Sequence, residues 1–193
     1  RLLFSDDKRT FNIDTIKLGE LDSFYDIGEF ETITVDKNHK AVFLYTSGST
    51  GTPKGVGYTH GKHYWVIDKH SKEDSPTERF RKLKTLIITP LYHLNGLAGI
   101  EIQIKKGNII VMLSKFKAST AIKAIEEHKI NVIATITTTM ALIANDPSIV
   151  NADVHTVKSI RIGSSITTES TINKIKKNFP QATILITYGT TET

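Results

Sequence analysis

Residues 41–55 read Ala41-Val42-Phe43-Leu44-Tyr45-Thr46-Ser47-Gly48-Ser49-Thr50-Gly51-Thr52-Pro53-Lys54-Gly55, an apolar run followed by glycines, hydroxyls and one lysine. The apolar part predicts a buried strand, and the polar part predicts a loop that holds a phosphate. Gly48, Gly51 and Gly55 let the backbone turn successive N–H groups toward an anion at close range. Ser47, Ser49 and Thr50 add hydroxyl donors, Lys54 adds a mobile positive charge, and Pro53 stiffens the segment just before it. A Walker-type loop is excluded, because that pattern needs Gly-Lys-Ser/Thr opening a helix. Here Lys54 precedes Gly55, and Val56-Gly57-Tyr58 looks extended. A flexible Gly/Ser/Thr linker shares the composition, but a linker has no use for a Pro-Lys-Gly ending or for a strand feeding it.

Downstream of this stretch the pattern is regular. Strands are predicted at Ala41–Tyr45, Thr85–Thr89, Ile109–Leu113, Val132–Ile136, Ser159–Ile162 and Thr183–Thr187. Helices are predicted at His60–His70, Asn95–Lys105, Ser119–His128, Thr138–Ala144 and Thr168–Asn178. Continuous apolar strands alternating with amphipathic helices imply an α/β fold, a mostly parallel sheet with helices on both faces. Ser119 is placed to cap its helix, and Ile172, Ile175 and Phe179 share one face of another. Upstream, residues 1–40 hold short apolar pieces broken by acids and glycines and read as an edge segment of uncertain role. Residues 41–193 read as the functional α/β core of a single domain. In such a sheet, ligands bind beyond the carboxyl ends of the strands. Thr46, Pro90, Gly163 and Tyr188 each follow a predicted strand, so one shared site is expected there.

Composition narrows the function classes. At 193 residues, with 39% hydrophobic and 23% charged residues, the chain has the make-up of a soluble globular protein. No apolar run approaches the length of a membrane span, and with no cysteine there is no disulfide, thiolate metal site or cysteine nucleophile. A cytoplasmic location is expected. The net charge of +5 comes from scattered lysines, among them Lys62, Lys69, Lys105, Lys117 and Lys174, with no aromatic and basic stripe that would stack bases. Nucleic acid is therefore not the expected partner. His60, His63, His70 and His128 lack metal-ligand spacing and read as surface residues.

Thr46 to Gly55 resembles the phosphate loop of the adenylate-forming (AMP-binding) superfamily, which includes acyl-CoA synthetases, aryl-CoA ligases, luciferases and peptide-synthetase adenylation domains. Tyr188-Gly189-Thr190-Thr191-Glu192 resembles that family's Tyr-Gly-x-Thr-Glu segment. Pro90-Leu91-Tyr92-His93-Leu94-Asn95-Gly96 is similar to its Pro-x-aromatic-His segment beside the acyl pocket, and Gly163-Ser164-Ser165 to its adenine-side turn. Four segments in the family's order carry the resemblance, which runs from about Ala41 to Thr193.

The resemblance implies ATP-dependent activation of a small carboxylic acid to an acyl-adenylate, with Mg²⁺ as cofactor and CoA as the second substrate of the complete enzyme. It implies that Thr46, Ser47, Gly48, Ser49, Thr50, Gly51 and Lys54 surround the β- and γ-phosphates. Thr191 would donate to the α-phosphate, and Glu192, with Thr50, would hold Mg²⁺, a hard ion that takes oxygen ligands. Tyr188, beside Gly189 and Thr190, would lie against adenine, with Gly163, Ser164 and Ser165 on the opposite rim, and His93 would border the acyl group. By the same resemblance Lys54, His93, Thr191 and Glu192 are the catalytic candidates. His93-Leu94-Asn95 offers no acid to pair with an α-amino group, which favours fatty, aryl or other simple acids over amino acids.

This chain also departs from the family's pattern. Thr187 stands where the family usually has glycine, Ser164-Ser165 replaces the commoner Gly-Ala, and Thr137 stands where many members have proline. The family's ribose-binding aspartate and the C-terminal domain with its catalytic lysine lie downstream of these segments. The sequence is therefore expected to be an incomplete catalytic core, inactive alone, whose partner is the remainder of the same polypeptide. The alternative is a non-catalytic nucleotide- or acyl-binding module within a larger assembly.

Overall fold

A computed structural model of the chain describes residues 2–4, 14–16, 33–46, 52–72 and 82–190. Two units are distinguished, Arg1–Thr34 and Val35–Thr193. In the first, β1 (Leu2–Phe4) and β2 (Asp14–Ile16) pair in parallel, Leu2 opposite Asp14 and Phe4 opposite Ile16.

The second unit begins with a departure from the expected sheet. Strand β3 (Lys40–Thr46) does not join the parallel array; it pairs antiparallel with β4 (Lys54–Thr59) in a two-stranded sheet of its own. The seven residues between Thr46 and Lys54 allow a hairpin return, whereas a parallel crossover needs a dozen or more. Nor is β3 a buried strand. Leu44 is its buried residue, while Phe43 and Tyr45 are 58% and 71% exposed. Their rings lie across Gly57 and Gly55 of β4, where a β-carbon would come within 3.0 and 3.1 Å of them. The opposing glycines leave room for large rings on a surface hairpin, and those rings mimic a core strand in the sequence.

The remaining strands form the parallel sheet. In spatial order they are β6 (Ile109–Met112), β5 (Lys84–Ile87), β7 (Val132–Ile136), β8 (Ser159–Gly163) and β9 (Thr183–Ile186). The register aligns Leu86, Ile133, Ile160 and Ile184 across four strands on one face. Against that row pack Ile122 and Ile125 of α3 (Ala118–His128), Met140 and Ile143 of α4 (Thr137–Asn145), and Ile175 of α5 (Glu169–Asn178) with Phe179 just after it. The opposite face of β5 carries Thr85, whose hydroxyl donates to Gln103 Oε1 of α2 (Leu94–Lys106) at 3.1 Å. Helices therefore cover both faces. The right-handed rule for parallel crossovers explains the split: the step from β5 to β6 runs opposite to every later one, so α2 lands on one side and α3, α4 and α5 on the other.

Local signals set the helix ends. Thr59 Oγ1 accepts from Lys62 N at the start of α1 (His60–Ser71), and Thr168 Oγ1 accepts from Thr171 N at the start of α5. Gly107, with φ of 67°, closes α2 in the left-handed conformation. Ser119 does not cap α3. The Lys117 carbonyl accepts the Ala121 N–H, so Lys117 is the capping position and Ser119 falls inside the first turn.

Helix α1 packs on α2 through polar contacts. His63, expected at the surface, is buried with Nε2 2.8 Å from Glu101 Oε2 of α2. A carboxylate on a neighbouring helix supplies the partner that lets a histidine leave solvent, and local sequence does not reveal it. Nearby, Lys105 Nζ donates to Tyr64 Oη at 3.0 Å and to Asp68 Oδ1 at 2.6 Å, and Lys72 pairs with the same carboxylate. The hydrogen bond from Lys105, then that from Lys72, holds the Asp68 carboxyl below its ordinary value of 3.8. A carboxylate whose folded pKa lies below its unfolded one contributes stability above the unfolded value and loses it as pH falls through the folded one. Asp68→Asn is thus expected to lower the unfolding midpoint at neutral pH by about 1–2 °C. Thermal scans from pH 7 downward should see that difference close below the ordinary 3.8.

No helix among the described residues is long and apolar enough to cross a membrane. No group of three or more His, Asp or Glu that could hold a metal ion occurs among them.

Candidate functional site

The topology singles out one place on the sheet. The chain leaves β5 toward β6 on one side, and leaves β7, its neighbour on the other side, toward β8 in the opposite direction. Connections that diverge from adjacent parallel strands open a crevice beyond their carboxyl ends, where ligands of α/β sheets bind. Segments 88–96, 137–139, 163–168 and 187–190 meet the solvent at this edge.

The first is held tightly. After β5 the chain passes through buried Thr89 to Pro90, whose carbonyl accepts the His93 N–H at 3.1 Å. His93 is the capping position of α2 with no side-chain capping bond, so its ring stays exposed beside that of Tyr92, centroids 4.6 Å apart. The third residue of the helix, Gly96, is buried against the strand exit; a β-carbon there would lie 2.3 Å from the Pro90 carbonyl oxygen and 2.7 Å from that of Thr89. This contact presses the first turn of α2 onto the edge of the sheet. From that turn Asn95 Nδ2 donates to Ser164 Oγ at 3.0 Å.

The turn after β8 is braced on each side of Ser164. Gly163 is buried, and a β-carbon there would meet Thr187 Oγ1 at 2.5 Å. The Thr187 N–H and hydroxyl both donate to the Ile162 carbonyl, at 2.8 and 3.2 Å. Thr187 thus has its hydroxyl tied to the end of β8 rather than turned toward a ligand. On the other side Thr137, the buried first residue of α4, donates to the Ser165 carbonyl at 3.1 Å. Its single proton is then committed, so the 2.9 Å contact with Thr167 is a bond donated by Thr167. Beyond Thr187, the Tyr188 side chain is 97% exposed.

The expected site residues divide accordingly. His93, Gly163, Ser164, Ser165, Tyr188, Gly189 and Thr190 lie on segments at the carboxyl edge of one sheet, and the Asn95–Ser164 bond joins two of those segments directly. Thr46 and Lys54 face each other at the loop end of the hairpin. Among the described residues no hydrogen bond joins that pair to the sheet edge; the connection runs through α1 and its packing on α2. Ser47, Gly48, Ser49, Thr50, Gly51, Thr191 and Glu192 lie outside the described residues. Asn95, Thr137 and Thr187 are not among the expected site residues, yet their side chains fix the turn. Their signal in the sequence is positional: Thr137 and Thr187 directly follow β7 and β9, and Asn95 stands in the first turn of the helix after β5.

The segments at this edge contain hydroxyls, amides and aromatic rings and no Asp or Glu among residues 88–97, 163–168 and 187–190. An anionic ligand meets no carboxylate from these segments.

The chain is similar to known proteins. Acyl-CoA synthetase 7 of Caenorhabditis elegans is 29% identical over 166 residues, covering 82% of this chain and 31% of the relative. The 2-succinylbenzoate–CoA ligase of Bacillus subtilis is 29% identical over 154 residues, covering 79% and 30%. The chain therefore spans about three tenths of the length of these curated relatives. Among solved structures, O-succinylbenzoate coenzyme A synthetase from Bacillus subtilis, in complex with ATP and magnesium ion, superposes with a TM-score of 0.76 at 23% identity. That match covers 99% of this chain and 40% of the other. The family model described as AMP-binding enzyme matches residues 5–193. With a match along nearly its whole length, this chain belongs to the AMP-binding enzyme family.

Proposed function

We propose that this chain forms the nucleotide- and acid-facing part of an enzyme that activates a carboxylic acid with ATP, giving an acyl-adenylate and pyrophosphate, and then transfers the acyl group to CoA. The observation that carries the reading is the braced turn Gly163–Ser165 at the switch-point edge, with Tyr188 exposed one residue beyond its Thr187 brace.

Attack of a carboxylate on the α-phosphorus brings two anions together, so catalysis is mainly positioning and electrostatic compensation. Tyr188 lies against the adenine face, and Ser164 and Ser165 close the opposite rim. Lys54, at the loop end of the hairpin, donates to the β- and γ-phosphates together with Ser47, Gly48, Ser49 and Thr50, and holds the departing pyrophosphate. Thr191 donates to the α-phosphate. His93, exposed at the start of α2, borders the incoming carboxylate. Glu192 and Thr50 offer a carboxylate and a hydroxyl, the hard oxygen donors that suit Mg²⁺. Bound there, Mg²⁺ supplies charge neutralisation between the phosphates. The absence of an acidic residue from 88–97 supports a fatty, aryl or other simple acid over an amino acid.

Carboxylate-dependent ATP–pyrophosphate exchange, run with the polypeptide that carries these residues and a panel of fatty, aryl and amino acids, tests the reading. Exchange with a simple acid is expected; ATP binding without exchange from any acid favours a nucleotide-binding module instead. Lys54→Ala is expected to weaken Mg·ATP binding by about 10- to 100-fold, the worth of hydrogen bonds to a charged partner. The unfolding midpoint should not move, because Lys54 is exposed. Equal ATP affinity of variant and parent in a calorimetric titration removes Lys54 from the site.

A further inference from the structure

Ser164 has a φ of 74°, and Lys129 is the other non-glycine residue with positive φ among the described residues. Lys129 closes α3, where the left-handed conformation is routine. Ser164 follows a strand, and nothing about a strand end calls for a conformation that residues with a β-carbon adopt reluctantly. Such backbone persists where its surroundings impose it, and it gathers at ligand sites. The surroundings here are specific. Thr187 and Thr137 hold the neighbours Gly163 and Ser165, while Ser164 itself is held by Asn95 Nδ2 on its Oγ at 3.0 Å. The backbone of Asn95 is in turn set by Gly96 beside it, which sits close against the Pro90 and Thr89 carbonyls.

We infer that Asn95 is a positioning residue for nucleotide binding: its amide latches Ser164 in the left-handed conformation, so the turn Gly163–Ser165 is already shaped when the nucleotide arrives. The inference rests on the proposed role of that turn as one rim of the adenine site. The latch spans two strands of the sheet, since Asn95 follows β5 and Ser164 follows β8. Asn95 also lies two residues from His93, so the latch joins the acid-side segment and the nucleotide-side turn into one rigid unit. A preformed rim binds without the cost of ordering it. Neither side chain is buried, so losing the latch loosens the turn without removing core.

Calorimetric titration with AMP as the probe tests this in the polypeptide carrying these residues. Its subjects are the parent, Asn95→Ala, Ser164→Gly, the double variant and Asn95→Asp. Asn95→Ala is expected to weaken AMP binding roughly five- to tenfold, the size of one neutral hydrogen bond, with an unchanged unfolding midpoint. In the Ser164→Gly background, where the left-handed backbone is unstrained and the hydroxyl is gone, the same change should cost nothing further. Asn95→Asp should recover most of the affinity, because its carboxylate accepts from the Ser164 hydroxyl. A loss of equal size in both backgrounds, or no loss in either, overturns the latch while leaving the nucleotide site standing. A parent that binds no AMP overturns the site, and the latch with it.

Discussion

Gly96→Ala is expected to lower the unfolding midpoint by roughly 6–12 °C, opposite in sign to what helix propensity dictates. In an ordinary helix interior, alanine is favoured over glycine by about 0.8–1 kcal/mol. At position 96 the added methyl would lie 2.3 Å from the Pro90 carbonyl oxygen and 2.7 Å from that of Thr89. Both obstacles are backbone, which has no rotamer to escape into. Overpacking of this kind costs about 3 kcal/mol, at the upper end of its usual range, and at about 2–4 °C per kcal/mol for a domain of this size it dominates. Gly99 in the same helix is the control. A methyl group there would meet the Ile87 side chain at 3.8 Å, an ordinary contact. Gly99→Ala should therefore stabilise by about 0.5–1 kcal/mol. Thermal scans of the two variants side by side decide the matter, since movement in the same direction would show that no close approach exists at Gly96. Because Asn95 and His93 share that first turn, Gly96→Ala should also weaken AMP binding.

Phe179→Ala should be the most damaging change in the core, at about 3–5 kcal/mol. The ring is fully buried in the cluster with Ile175, Ile160 and Ile162, and the residue's backbone closes α5 through its N–H to the Ile175 carbonyl at 2.8 Å. Truncation there leaves a cavity between a helix and the sheet that neither can close without breaking register. Tyr188, a side chain of similar size, gives the opposite result. At 97% exposure its removal should leave stability within about 0.5 kcal/mol and act on AMP binding alone. Denaturant titration of both variants, with AMP affinity measured on the folded one, separates the ring that builds the fold from the ring proposed to meet the base. A stable Phe179→Ala protein would mean that α5 is not seated on the sheet through this ring.

Much of this architecture is legible along the chain. The strands at 85, 109, 132, 159 and 183 and the five helices between and before them lie within a residue or two of their expected bounds, because each carries its own periodicity and its own end signals. Ile172, Ile175 and Phe179 betray one face of α5 whatever lies opposite. The strand at 41 departs from expectation because Phe43 and Tyr45 have core-like hydrophobicity, while burial depends on what faces a residue. Gly55 and Gly57, which let those rings lie on a surface hairpin, stand on the far side of the connecting loop. His63 departs for the same reason, since Glu101 is in another helix.

The candidate site shows the same division. Sequence alone determined the segments, the order in which they occur and the family they resemble, since motif identity is a property of neighbouring residues. Only the tertiary structure decided that Asn95 meets Ser164 across 69 positions, that Thr187 covers Gly163, and that the switch point falls between β5 and β7. Those contacts exist because parallel strands side by side bring the ends of distant segments together. Strand order is set by the packing of helices on two faces of a sheet, and no local pattern of residues encodes it.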